Sequence, residues 1–287
     1  MKTFIASVAA GLATANYLRT PQSVEAQCMT NTAFSQKDFG VYKLLNARSE
    51  THDTKLFTFA LPNKDMPLNN EIPSCIVLRF VDEKGEVVTR PYTPLNLQSD
   101  KGSFELLVKC YPHSKMGTHL HNMKVGDTIE AQGPFKTMDI KPSQYEHIGM
   151  LAGGTGITPF YQIANNFLAD SSNTTKISLV FCNKTRDDIL LRDRLDLLSK
   201  KNHEKFNVFY MLTEAPRLWF GYKGHLTKSV IGETMPSPKS RGKAMILVSG
   251  PPGFMKTVCG EKSGRSQGPL GGYLKEMGYS EDMVYKF

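Results

Sequence analysis

The apolar pattern of this 287-residue chain changes period once, at Pro142, and that change restricts the fold more than any other feature. Before it, apolar runs of strand length recur at residues 41–47, 55–61, 75–81, 87–92, 103–111 and 128–131. Turn chemistry separates them: Pro62-Asn63, Asn69-Asn70, residues 82–85 and 100–102, and Gly126-Asp127. Short strands with such breakers predict a closed antiparallel barrel, interrupted by one helix over residues 115–123. After Pro142, strand-length runs at 147–152, 177–182, 206–212 and 245–248 alternate with helical patterns. One helix carries Phe160, Ile163, Ala164, Phe167 and Leu168 on a single face; another, over 188–200, turns Leu191, Leu195 and Leu198 inward. That alternation predicts a parallel sheet, so the chain reads as β followed by α/β.

Three stretches in this frame carry chemistry. In Arg90-Pro91-Tyr92-Thr93, the proline fixes its own φ and keeps Arg90 extended, so guanidinium, phenol and hydroxyl sit on a stiff strand. A planar guanidinium suits a pyrophosphate and a tyrosine ring packs on a flat heterocycle, which together read as a flavin clamp. The strand at 147–152 runs into Gly153-Gly154-Thr155-Gly156-Ile157-Thr158-Pro159, with Thr158 expected to cap the next helix and Pro159 to open it. Glycines there let backbone approach a ligand at the helix's positive end. The strand at 245–248 feeds Ser249-Gly250-Pro251-Pro252-Gly253-Phe254-Met255, and two such turns on one parallel sheet mark a ligand crevice. Lys115-Met116-Gly117-Thr118 adds a helix start suited to phosphate.

Basic residues exceed acidic ones by 35 to 27, and the excess is uneven: 16 against 14 over residues 1–141, 19 against 13 over 142–287. The second half therefore carries +6 of the +8, which suits an acidic partner, an anionic cofactor or a membrane surface. No dense basic run with interleaved aromatics is present, which argues against nucleic acid. Cys28, Cys75, Cys110, Cys182 and Cys259 are odd in number and scattered, with no CxxC or Cys/His pairing at ligand spacing. Free thiols and no metal site are the expectation.

Residues 3–18 carry no charge, between Lys2 and Arg19. A bilayer span takes about 17–25 apolar residues, so the stretch reads as a tilted or interfacial anchor, a retained targeting sequence, or a secretory signal cleaved near Val24-Glu25-Ala26. Unpaired cysteines favour an uncleaved anchor. The expected organisation is an anchor and polar tether over 1–36, a barrel domain over 37–141, a linker at 142–146 and a nucleotide domain over 147–287.

With the stretches at 90–93, 153–159 and 250–255 in this order, the chain resembles the NADH-cytochrome b5 reductases of the ferredoxin-reductase-like flavoprotein superfamily. The resemblance covers roughly residues 37–287 and is nearest the fungal mitochondrial form, through the N-terminal anchor, Gly260-Glu261-Lys262 and the ending from Gly278 to Phe287. It implies an FAD-binding barrel followed by a Rossmann-like NAD-binding domain. It also implies that Arg90 binds the FAD pyrophosphate, that Pro91 and Tyr92 lie along the flavin, and that Thr93 hydrogen-bonds the ring. Leu107, Val108, Lys109 and Tyr111 match a flavin-lining strand, and Lys115, Met116 and Gly117 the pyrophosphate loop, although His113-Ser114 stands where the family commonly has two glycines. Gly153, Gly154, Thr155, Gly156, Gly250, Pro251 and Met255 match the nicotinamide nucleotide site. Thr158 matches a threonine between the two rings, and Thr213 an acidic position beside the adenine-side ribose. Ser249 replaces the family's usual cysteine. Thr93, Thr158 and Ser249 are thus the residues expected nearest the reacting atoms.

The implied reaction takes a hydride from NADH and passes single electrons to cytochrome b5, an acidic haem protein, in support of lipid or sterol oxidation. Rival readings are a related reductase with a ferredoxin-like or quinone acceptor, and a non-catalytic flavin or nucleotide sensor. A monomer on the mitochondrial outer membrane or in the intermembrane space is expected, with the cytosolic face of the endoplasmic reticulum as the alternative.

Overall fold

The computed structural model describes residues 32–264 and 266–287. The anchor expected over residues 3–18 and its candidate cleavage point lie outside them. No helix among the described residues is long and apolar enough to cross a membrane.

The first half contributes β1 (Gly40–Ser49), β2 (Thr54–Ala60), β3 (Ser74–Val81), β4 (Val87–Tyr92), β5 (Ser103–Lys109) and β6 (Thr128–Lys136). They form one antiparallel sheet in the order β4-β3-β6-β1-β2-β5. Inward residues such as Tyr42, Leu44, Phe59, Phe104 and Ile129 build its core. The expected closed barrel is left open between its end strands β4 and β5. Helix α1 (Lys115–Asn122) packs against both strands and sinks Met116 and Leu120 into the core, holding those edges apart. Closure is partial: past β4, the Leu95 amide donates to the Glu105 carbonyl at 3.0 Å, and the Glu105 amide to Asn96 Oδ1 at 2.6 Å.

The folded region also begins earlier than a tether running to Gln36 would allow. Ala33 and Phe34 are buried, Tyr42 donates its hydroxyl to the Ala33 carbonyl at 2.8 Å, and the Phe34 ring meets Phe104 edge-on at 5.1 Å.

The second half runs β7 (His147–Gly153), α2 (Ile157–Ala169), β8 (Lys176–Asn183), α3 (Arg192–Lys201), β9 (Phe206–Leu212), β10 (Tyr222–Lys223), α4 (Lys228–Thr234), β11 (Ala244–Ser249), α5 (Pro252–Val258), α6 (Gly272–Glu276) and β12 (Val284–Lys286). Its sheet is parallel throughout, in the order β10-β9-β8-β7-β11-β12. Every residue of β11 is buried, as befits a strand covered on both faces.

Two helix starts differ from the sequence expectation. A 3-10 turn at Gly154–Gly156 passes straight into α2, leaving no extended position for Thr158 to cap; its hydroxyl donates to the Thr155 carbonyl at 3.2 Å. Helix α3 begins at Arg192 instead of Asp188. Asp188 closes a capping box with Thr185, and Leu191 is held at φ 56 with its amide donating to Glu50 Oε1 at 2.9 Å.

The halves share one core, in which Leu56, Leu95 and Leu107 meet Ile157, Phe160 and Tyr161. At its rim the Arg194 guanidinium forks onto the Glu105 carboxylate, at 2.7 and 3.2 Å. The cleft between the halves is therefore fixed by packing and by paired polar groups.

Candidate active site

A groove of about 530 Å³ follows the opening between β4 and β5. Arg90, Pro91, Tyr92, Thr93, Leu107, Lys109, Tyr111 and Ser114 line it from the first half. Thr155, Gly156, Thr158, Pro159, Ser249, Gly250 and Pro251 line it from the second. A second groove, about 400 Å³, lies at the carboxyl ends of β7, β8 and β9, where Gly153, Gly154, Asn183, Lys184 and Thr213 face His52, Asp53 and Lys109. Lys109 and Pro251 line both, so the grooves adjoin. A larger cavity, about 730 Å³, sits against β9 and contains none of the expected site residues, so size alone does not locate the chemistry.

The Arg90 guanidinium is exposed and meets no carboxylate among the described residues; Nη1 donates to the Thr89 carbonyl at 2.7 Å. The rest of that fork is available to an anion. Burial pushes the Tyr92 phenol up to about 12, against the opposing charge of Arg90, so it stays neutral. Lys109 pairs with Asp53 at 2.7 Å. Burial works to raise the Asp53 carboxyl, but hydrogen bonds from Lys109, Thr54 and Thr51 outweigh it and hold the group below the usual range. Across the groove, the Tyr111 hydroxyl lies 3.1 Å from Thr155 Oγ1.

Two glycines shape the junction. A Cβ on Gly156 would stand 2.3 Å from the Ser249 carbonyl, so the two turns can abut only with glycine there. Gly154 has φ +53 and nothing within 4 Å of its absent Cβ, which leaves its backbone open to a ligand.

Five expected residues do not line either groove. On β5, side chains alternate, and Val108 packs into the barrel core while Leu107 and Lys109 face the groove. Met116 is buried in that same core and Met255 in the core beneath α5. The Lys115 ammonium is held by Asp82, at 2.7 Å, and by Glu86. Gly117 is buried and donates its amide to Ser114 Oγ at 3.1 Å. The other first-turn amides of α1, those of Lys115 and Met116, which a helix leaves without carbonyl partners, lie at the Ser114 end that lines the groove.

Sequence reasoning missed Cys75, Thr137 and Phe287 in the first groove, and His52, Asp53, Asn183, Lys184 and His225 in the second. Asn183 and Lys184 had a signal, since they directly follow a strand of the parallel sheet. The others are brought in by tertiary packing. The Asn183 amide nitrogen is buried with no hydrogen-bond partner, which fits a site awaiting an acceptor. A guanidinium with no carboxylate partner, a half-buried phenol beside a hydroxyl, two helix-start amides and a glycine turn are likewise groups of the kind that can bind a dinucleotide.

Residues 42–140 match the family model of the oxidoreductase FAD-binding domain, and residues 150–260 that of the oxidoreductase NAD-binding domain. The chain is 40% identical over 259 residues to the NADH-cytochrome b5 reductase 2 of Phaeosphaeria nodorum, covering 89% of this chain and 77% of the relative. It is 42% identical over 241 residues to that of Saccharomyces cerevisiae, covering 83% and 79%. Among solved structures, the cytochrome b5 reductase domain of Ulva prolifera nitrate reductase superposes with a TM-score of 0.78 at 26% identity, covering 89% of this chain and 99% of that one. Grooves, domains and relatives agree: the chain belongs to the NADH-cytochrome b5 reductase family and is a flavoprotein oxidoreductase with an FAD-binding and an NAD-binding half.

Proposed function

We propose that this chain draws a hydride from NADH and delivers single electrons to cytochrome b5, serving lipid or sterol oxidation at a membrane. The observation that carries this reading is the adjoining of the two grooves at Lys109 and Pro251. A donor in one and a flavin in the other can be held in reacting contact there. FAD, when bound, supplies acceptance of an electron pair and release of electrons one at a time.

The chain's own residues bind and orient. Arg90 and the first-turn amides of α1 take the pyrophosphate, Tyr92 packs along the ring system, and Thr93 donates a hydrogen bond to it. The turns at 153–156 and 249–251 receive the nicotinamide side, and Thr213 the adenine-side ribose. Thr158 and Ser249 line the junction and exclude water. Hydride transfer needs no general base, and burial keeps two groove side chains protonated, pushing the Tyr92 phenol up to about 12 and raising the Cys75 thiol.

The chain acts as a monomer, tethered through residues 3–18 to the mitochondrial outer membrane. The uncharged N-terminal stretch supports the tether. The test is transfer: NADH-reduced protein is mixed with oxidised cytochrome b5 and the haem spectrum followed. Stoichiometric haem reduction is expected. Flavin reduction without haem reduction would point instead to a ferredoxin-like or quinone acceptor.

A further inference from the structure

We propose that the loop joining β9 to β10 is a second membrane contact, a small wedge that inserts into an anionic lipid surface. Its tip reads Arg217-Leu218-Trp219-Phe220-Gly221-Tyr222-Lys223. Leu218 is 82% exposed and Phe220 100%, the two most exposed large apolar side chains among the described residues. Nothing in the fold covers either.

The loop is built to present them. Trp219, between the two, turns inward: its indole N–H donates to the Tyr222 carbonyl at 3.0 Å and the Arg192 guanidinium lies 5.7 Å from its ring. Gly221 permits the tight return, since a Cβ there would stand 2.5 Å from the Tyr210 carbonyl. Leu218 and Phe220 are thus held outward on a rigid support, so little ordering is lost on contact.

The charges around the tip favour lipid over a protein groove. Three of the carboxylates around it are engaged: Glu214 pairs with Lys184 at 3.4 Å, Asp196 accepts the Tyr210 hydroxyl at 2.6 Å and pairs with Arg192 at 3.7 Å, and Glu233 accepts the Tyr222 hydroxyl at 3.1 Å. Arg186, Arg217 and Lys223 have no acidic partner among the described residues; Asp187, beside Arg186, and Asp193, near Tyr210, are exposed acids left without an ion pair. Leu218 and Phe220 stand at the rim of the cavity of about 730 Å³ against β9, which they help to line; two apolar side chains cover far less than the ~800 Å² per partner that a stable protein interface takes, yet suffice for a wedge flanked by cations. Anionic headgroups add roughly fivefold in binding per cation near the surface. The uncharged stretch at residues 3–18 is short for a span, and a second weak contact on the same molecule would multiply its hold.

Trp219 is the chain's only tryptophan, so its fluorescence reports this loop alone. The full-length flavoprotein is mixed with phosphatidylcholine vesicles, with and without phosphatidylserine, and with brominated acyl chains. On phosphatidylserine vesicles the emission shifts to the blue and is quenched by bromine. Leu218→Ser/Phe220→Ser abolishes both effects, weakens partitioning about tenfold or more, and leaves NADH oxidation unchanged, while Arg217→Glu reduces the quenching. Unchanged Trp219 emission in protein that co-sediments with vesicles would overturn the proposal, as would equal quenching on phosphatidylcholine alone.

Discussion

Gln162, fully buried on α2, accepts the Ser74 amide at 2.9 Å and donates to the Pro94 carbonyl at 2.9 Å, tying the nucleotide half to the start of β3 and the end of the flavin-clamp strand. Both partners are backbone groups 68 or more residues away, so the side chain is a strut across the cleft. Gln162→Met keeps the volume but orphans each backbone group, at a cost of about 1–3 kcal/mol apiece. The unfolding temperature should fall with it; an unchanged melting curve would remove the strut from the account.

Arg90→Ala should mainly release FAD. A charge-assisted, bidentate contact to phosphate is worth about 1.5–3 kcal/mol, which is roughly tenfold to a hundredfold in affinity. The flavin-to-protein ratio after gel filtration measures it, and a variant that keeps its full flavin would show that Arg90 does another job.

How far these features were legible depended on the distance over which each is decided. Strands β3, β4 and β9 came within a residue of their observed bounds, because alternation and flanking turns are local signals. Strand β6 runs on to Lys136, past the expected end at residue 131, because β3 pairs Ser74 with Lys136 there. The start of α3 was hidden, since it turns on Glu50 meeting an amide 141 residues away. In the site, Arg90–Thr93 and the glycine turn stood out through proline and glycine chemistry. The capture of Lys115 by Asp82 and Glu86 did not, because nothing local shows which charges the folded turn brings together.

Donor choice rests on Thr213 and Glu214. Thr213 lines the nucleotide groove beside Lys184, and the Glu214 carboxylate is drawn into an exposed pair with that lysine at 3.4 Å. A paired carboxylate repels a 2′-phosphate less than a free one, and threonine can hydrogen-bond either ribose form. NADH should remain the better donor with measurable NADPH use, and Thr213→Asp should sharpen the preference by about tenfold to a hundredfold. Relative kcat/KM values decide this: a native preference above about a thousandfold would contradict it.

Acid should weaken the fold before its carboxylates titrate. Burial, helped by Lys176, holds His147 below the ordinary histidine value, and burial lowers His119, whose ring stacks on Phe80 at 4.0 Å. Each is therefore more readily protonated unfolded than folded. Their contribution is complete above about pH 6.5 and is lost as pH falls through that value toward the lower folded one. Urea midpoints should drop between neutral pH and about pH 5, and His119→Leu with His147→Gln should flatten that drop. An unaltered slope in the double variant would assign the loss to other groups.

The central claim is that the adjoining grooves bring NADH and FAD into reacting contact. Anaerobic stopped-flow mixing of the purified flavoprotein with NADH tests it directly, by following the visible flavin absorbance. The account predicts complete bleaching within seconds, with a rate that saturates as NADH rises. Flavin that stays yellow under excess NADH, while bound nucleotide is detectable by equilibrium dialysis, would contradict it and leave the chain a sensor of its two ligands.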